Sequence, residues 1–117
     1  MKKIIKLSVS ILFIILLSNF SFAQKKNKDE IKIKTSAVCS MCKDRIEQNL
    51  AFEKGILDVS LDVKTKIVTV KYNSNRTNPD NIRLAISKIG YDADDVPADK
   101  VAYNKLPPCC KKDAPKH

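Results

Sequence analysis

EIKIKTSAVCSMCKDRIEQNL, residues 30–50, is the stretch that decides the fold. Over residues 30–36 polar and apolar side chains alternate, with Ile31 and Ile33 to one side and Lys32 and Lys34 to the other, which is the period of a half-buried strand. The period then changes. Cys42, Ile46 and Leu50 recur at four-residue steps while Asp44, Arg45, Glu47 and Gln48 fall elsewhere, predicting one helix with one buried stripe that begins near residues 40–43. Cys39-Ser40-Met41-Cys42 stands at the junction of the two.

That position carries the chemistry. Unpaired N–H groups and the positive end of the macrodipole at a helix start favour an anion, so a thiolate at Cys42 is stabilised and its pKa lowered. Lys43 and Arg45 add positive charge nearby. Two thiolates converging on one ion suit soft metals, Cu(I) first, with Zn(II) and other thiophilic ions as competitors. Two ligands leave a tetrahedral structural zinc site incomplete.

Working outward, Gly55 supplies a permissive residue past the helix end. Leu57, Val59, Leu61 and Val63 alternate with acidic and polar residues, Lys64-Thr65-Lys66 reads as a turn, and Val68, Val70 and Tyr72 alternate again, predicting a strand hairpin. Residues 73–78 form a polar loop. Pro79 fits the first position of a second helix with Asn78 as its cap, Ile82, Ala85, Ile86 and Ile89 make the apolar face, and Gly90 ends it. A short last strand is expected over residues 91–96. The order strand, helix, strand, strand, helix, strand is the α+β, ferredoxin-like plan: a four-stranded antiparallel sheet with two helices on one face. Neither helix buries its stripe alone, and the sheet offers the one large apolar face for both.

These residues resemble the heavy-metal-associated domain of copper chaperones, of the N-terminal modules of copper-transporting ATPases and of periplasmic mercuric-ion-binding proteins. The resemblance spans roughly residues 30–96 and rests on Cys39-x-x-Cys42, Gly55-Ile56, Val68-Thr69-Val70-Lys71-Tyr72 and Ile89-Gly90-Tyr91. It implies that Cys39 and Cys42 bind the metal and hand it on by thiolate exchange rather than by bond-making catalysis. It further implies Cu(I) as cargo, with Hg(II), Zn(II) or Cd(II) as alternatives, and a metal-transporting ATPase or another CxxC protein as partner. A homodimer bridged by one metal ion is a further expectation. Tyr91 falls where bacterial members often carry a Tyr near the metal loop. The chain departs from the family by having Ser36-Ala37-Val38 where Gly-Met-Thr is common, so the Met that packs beneath the loop is absent and Ala37 stands in its place. Met41 lies between the cysteines and reads as adaptable filler.

The rest of the chain supplies context. Lys2, Lys3 and Lys6 precede an apolar run over residues 7–17, and Ser21 and Ala23 occupy the small-residue positions of a cleavage site, so residues 1–23 read as a secretory signal peptide. Export to a bacterial periplasm follows, with membrane contact confined to the transient signal, and an oxidising compartment can close cysteine pairs. What remains is about ninety residues, enough for one small domain: a lead-in at 24–29, the domain at 30–96 and an extension at 97–117. The formal charge of +9 includes three signal lysines and no signal acid. The remaining basic residues are dispersed among acids and aromatic residues are few, which argues against a nucleic-acid partner.

The extension is expected to hold a short helix over residues 97–105 and then Leu106-Pro107-Pro108-Cys109-Cys110, where the proline pair makes a stiff approach to two further thiols. Cys109 and Cys110 are additional candidate ligands, or else disulfide partners of another Cys or another chain; bridging to each other is disfavoured by the short Cα separation of consecutive residues. His117, the only His and the last residue, is read as a tail residue rather than a ligand. Asp92, Asp94, Asp95 and Asp99 lack the glycine and terminal Glu of a calcium loop and read as turn and helix-start charges. Two other classes use the same cysteines. A thiol–disulfide oxidoreductase would exploit the low-pKa thiolate, but the element order is not thioredoxin-like and no Trp flanks the motif. A disulfide-stapled interaction domain would use the even Cys count.

Overall fold

The computed structural model describes residues 27–112. The expected signal peptide, residues 24–26 of the lead-in and His117 lie outside the described residues. Strand β1 (Lys28–Lys34) leads into helix α1 (Ser40–Ala51), then strands β2 (Ile56–Asp62) and β3 (Ile67–Asn73), helix α2 (Pro79–Ile89), a short helix α3 (Lys100–Asn104) and a 3-10 turn over Pro108–Cys110. The sheet is antiparallel with β3 in the centre, in the order β1-β3-β2.

Register follows the alternation. Ile33 and Leu61 both pair with Val68, and Ile31 and Val59 both pair with Val70, so the apolar residues of all three strands share one face. Ile33, Leu61, Val68, Val70 and Tyr72 are buried there, and the helices lie on them through Cys42, Ile46 and Leu50 of α1 and Ile82 and Ile86 of α2. Glu47 extends from α1 to accept a hydrogen bond from the N–H of Leu61 at 2.9 Å, tying helix to strand. The start of β2 differs from the alternation: the register slips between Ile56 and Asp58. Leu57, expected to face inward, is therefore displaced outward and exposed.

Helix α2 has the punctuation expected of it. Asn78 accepts a hydrogen bond from the N–H of Asn81 at 2.9 Å, Pro79 opens the helix, and Gly90 closes it in the left-handed conformation at φ 113°. A Cβ at Gly90 would also stand 3.1 Å from the backbone of Ala102 and 3.2 Å from Leu106. Chain beyond residue 97 thus lies directly on the end of this helix.

The fourth strand is the correction to the expected plan. Among the described residues the sheet has three strands, and residues 91–96 contribute only isolated bridges, Thr35 with Ala93 and Ala93 with Val96. The cause is local. Ala93 and Val96 exchange both backbone hydrogen bonds at 2.9 Å, with Asp94 at φ 51°, so the chain reverses as soon as it reaches the sheet. Asp94 turns this reversal into a clasp: its N–H donates to the Lys34 carbonyl, its carboxylate accepts from the Lys34 N–H, and the other carboxylate oxygen binds Arg83 Nε at 2.9 Å.

The extension is packed rather than trailing. Its helix is shorter than expected, starting at Lys100 because Asp99 caps it through a 3.0 Å bond from the Ala102 N–H. Ser87 Oγ donates to the Pro97 carbonyl at 2.8 Å, and Leu106 and Cys110 are buried in the same core as the helices and sheet. Among the described residues no helix is long and apolar enough to cross a membrane.

Candidate metal centre

Three sulfur atoms meet where β1 passes into α1. Cys39 is the N-cap residue of α1 in extended conformation, and Cys42 lies three residues on, in the first turn. Their Sγ atoms are 3.4 Å apart. Cys110 reaches the same place from the 3-10 turn, and the three Sγ atoms lie within 4.8 Å of one another. All are free thiols. Cys42 and Cys110 are buried while Cys39 is partly exposed, so the cluster has one accessible edge.

The loop beneath is held by small residues. Ala37 is fully buried and its N–H is directed at Thr35 Oγ1 at 3.3 Å, while Thr35 Oγ1 itself donates to the Lys66 carbonyl at 2.8 Å. Ser36 Oγ accepts from the Asp92 N–H at 2.9 Å, joining the loop to the segment after α2. Tyr91, in that segment, is fully buried and close enough to Cys42 and Cys110 to influence both thiols. Its hydroxyl has no hydrogen-bond partner among the described residues. A buried hydroxyl beside thiols is a donor held ready for a thiolate.

Of the candidates from the sequence, Cys39, Cys42 and Cys110 are brought together and Cys109 is not. Cys109 points the other way, with its Sγ 3.6 Å from Met41 Sδ; its carbonyl, 3.6 Å from Cys39 Sγ, faces the cluster. Spacing alone could not choose between adjacent cysteines, since the choice is made by the turn that follows the proline pair. Asp92 is the site residue the sequence reading assigned only to a solvated turn. It accepts from the Ala98 N–H at 2.8 Å and pairs with Lys112, which fastens the stretch after Cys110 to the segment after α2.

The thiols are not equivalent. Burial pushes the Cys39 thiol up, and the adjacent Cys42 adds to this. Burial acts on Cys42 in the same sense, but the backbone at Val38 and the neighbouring Cys110, Tyr91 and Cys39 groups outweigh it, leaving Cys42 below the ordinary value of 9.0. Cys110 is pushed well above the thiol range, by burial first and then by Cys42. Cys42 is therefore the first of the three to lose its proton, in the position where the helix start favours an anion.

The consequence for the metal-free protein is a stability maximum. Between the lowered native pKa of Cys42 and 9.0, the unfolded chain holds a proton at position 42 that the native state has released, so stability rises with pH. Above 9.0, the unfolded chain releases the Cys39 and Cys110 protons that the native state retains, and stability falls. Urea unfolding of the reduced protein across this range is expected to show that decline, and the decline is expected to flatten in Cys110→Ala.

A three-layered set of observations, an antiparallel sheet, two helices on one face and a cysteine cluster at the first strand-to-helix junction, defines a small thiol-rich metal-binding module. Residues 35–92 match the heavy-metal-associated domain and are a domain of that family. The copper-exporting P-type ATPase of Staphylococcus saprophyticus is 36% identical over 55 residues, covering 47% of this chain and 7% of that protein. That of Staphylococcus epidermidis is 30% identical over 67 residues, covering 57% and 8%. The chain thus spans less than a tenth of the length of the curated relatives it matches. Among solved structures, the water-soluble region of the P-type ATPase CopA from Bacillus subtilis superposes with a TM-score of 0.53 at 31% identity, over 56% of this chain and 44% of that one. The CopZ metallochaperone (TM-score 0.53, 21% identity, 56% and 98% covered) and oxidized MerP from Ralstonia metallidurans (0.54, 16%, 56% and 93%) share the fold.

Proposed function

We propose that this protein captures Cu(I) outside the cytoplasmic membrane and passes it on by thiolate exchange, without catalysing a bond-making reaction. The observation that supports this reading is the convergence of Cys39 and Cys42 at 3.4 Å on a helix start, with Cys39 at the accessible edge. Soft thiolate donors select Cu(I) over harder ions. A partner's thiolate enters at the exposed edge, Cys39 is displaced first, and the buried Cys42 leaves later. The partner this chemistry fits is another exposed CxxC pair, such as that of a copper-transporting ATPase. Export rests on the lysine-led apolar run and small-residue cleavage site at residues 1–23.

Anaerobic titration of the reduced protein with Cu(I) against competing Zn(II), Cd(II) and Hg(II) tests it. The expected result is one equivalent of Cu(I) per chain, retained in excess Zn(II). Half an equivalent would mean that two chains share one ion. Failure to bind Cu(I) with all thiols shown to be reduced, or robust reduction of insulin disulfides, would replace this reading with thiol–disulfide exchange.

A further inference from the structure

We propose that Cys110 is a third metal ligand, so that the C-terminal extension converts the two-cysteine motif into a three-thiolate centre that retains its ion until the extension lifts. The inference rests on the metal-binding reading of Cys39 and Cys42 and adds a residue sixty-eight positions beyond Cys42.

Three observations carry it. The first is position: Cys110 Sγ lies within 4.8 Å of both other sulfur atoms, a spacing that one ion can bridge, whereas its neighbour Cys109 faces Met41 instead. The second is delivery. The extension is tied at Ser87 to Pro97, Asp92 to Ala98, Asp99 to the Ser87 carbonyl, and Asp92 to Lys112, and the Lys112 N–H also reaches the Tyr103 hydroxyl at 3.1 Å. With Leu106 buried beneath it, the 3-10 turn places Cys110 without depending on the metal. The third is the shape of the cluster. Cys42 and Cys110 form its covered side and Cys39 its open side, so the added ligand closes the inner face and leaves the exchange edge free.

The chemistry that follows differs from that of two ligands. Cu(I) accepts three thiolates, and the excess negative charge faces the positive end of α1 and the Tyr91 hydroxyl. An incoming thiolate then displaces Cys39 from a three-coordinate ion, and complete release requires the extension to withdraw Cys110. Cys110 is thus a retention device, and the contacts of Asp92 with Lys112 and Ala98 set how readily it opens.

The test is Cu X-ray absorption on the full reduced chain loaded with one equivalent of Cu(I), together with affinity measured against a chromogenic Cu(I) chelator. Wild type is expected to show three sulfur neighbours. Cys110→Ser is expected to show two and to bind at least about tenfold more weakly, the lower end of what loss of even an outer-shell partner costs; Cys109→Ser keeps three. Two sulfur neighbours in the wild type, unchanged affinity in Cys110→Ser, or an equal loss in Cys109→Ser would overturn the proposal. The wild-type coordination number decides the matter even where the buried Ser disturbs folding. Cys39→Ser/Cys42→Ser separates the two readings: if it binds as well as wild type, the underlying metal-binding reading fails, whereas a two-sulfur wild type leaves that reading standing and removes only Cys110.

Discussion

Serine at both Cys39 and Cys42 is expected to weaken Cu(I) binding by at least about a hundredfold, beyond the upper range for losing an outer-shell partner, with the fold intact. Hydroxyls are poor donors to a soft ion, and neither substitution changes side-chain volume much. Cys39 is partly exposed at a helix cap, where serine is itself a favoured residue. Cys42 is buried, but among sulfur and hydroxyl neighbours that a serine can join. The reduced double variant should therefore keep its far-ultraviolet circular dichroism while losing to a chromogenic chelator the Cu(I) that wild type holds. Cu(I) affinity equal to wild type would remove the motif from the site.

The second large effect concerns Tyr91, first by volume among the fully buried side chains. Tyr91→Ala is expected to cost about 3–5 kcal/mol in urea unfolding of the metal-free protein, as loss of a buried aromatic ring does. Tyr91→Phe is expected to move the other way, by about 1 kcal/mol, because it removes a buried hydroxyl that has no partner among the described residues. On loading with Cu(I) the order reverses, since Phe cannot donate to the Cys42 thiolate. A Phe variant that is more stable without metal and weaker in holding it would identify the hydroxyl as serving the site at the expense of the fold. A Phe variant that binds Cu(I) as well as wild type would reduce Tyr91 to packing.

Much of this architecture was legible where the residue pattern is long and its ends are marked. The stripe of Cys42, Ile46 and Leu50, the cap at Asn78 with Pro79, and the stop at Gly90 all act through local geometry, and each stands where the pattern places it. The three paired strands followed from alternation for the same reason. Residues 91–96 did not, because their alternation is too short to reveal that Asp94 adopts a left-handed conformation and turns the chain back. Leu57 was misplaced because a register slip leaves no mark in residue type.

The site divides along the same line. Cys39 and Cys42 are neighbours through one helical turn, so sequence spacing brings them together. Cys110 joins them only through tertiary packing, by way of Leu106, the proline pair and the clasp of Asp92 on Lys112. Two adjacent cysteines in a tail offer two faces, and nothing in their order says which faces inward. The buried state of Cys110 against the partial exposure of Cys109 answers a question that required the fold.

The reversal at Asp94 has one more consequence, for the behaviour of the protein at high concentration. A three-stranded sheet leaves the outer rim of β1 facing solvent, and such a rim is a template on which a second molecule can add its own strand. Here part of the template is already occupied. Lys34 spends both its N–H and its carbonyl on Asp94, and the N–H of Glu30 is taken by the Asp29 carboxylate. By the alternation of an antiparallel strand, Lys32 is the outward-facing position left between them. A foreign strand would be blocked at the Lys34 end of this rim, and the outward-facing positions further back, Lys28 and Lys32, are lysines, whose charge disfavours edge-to-edge pairing.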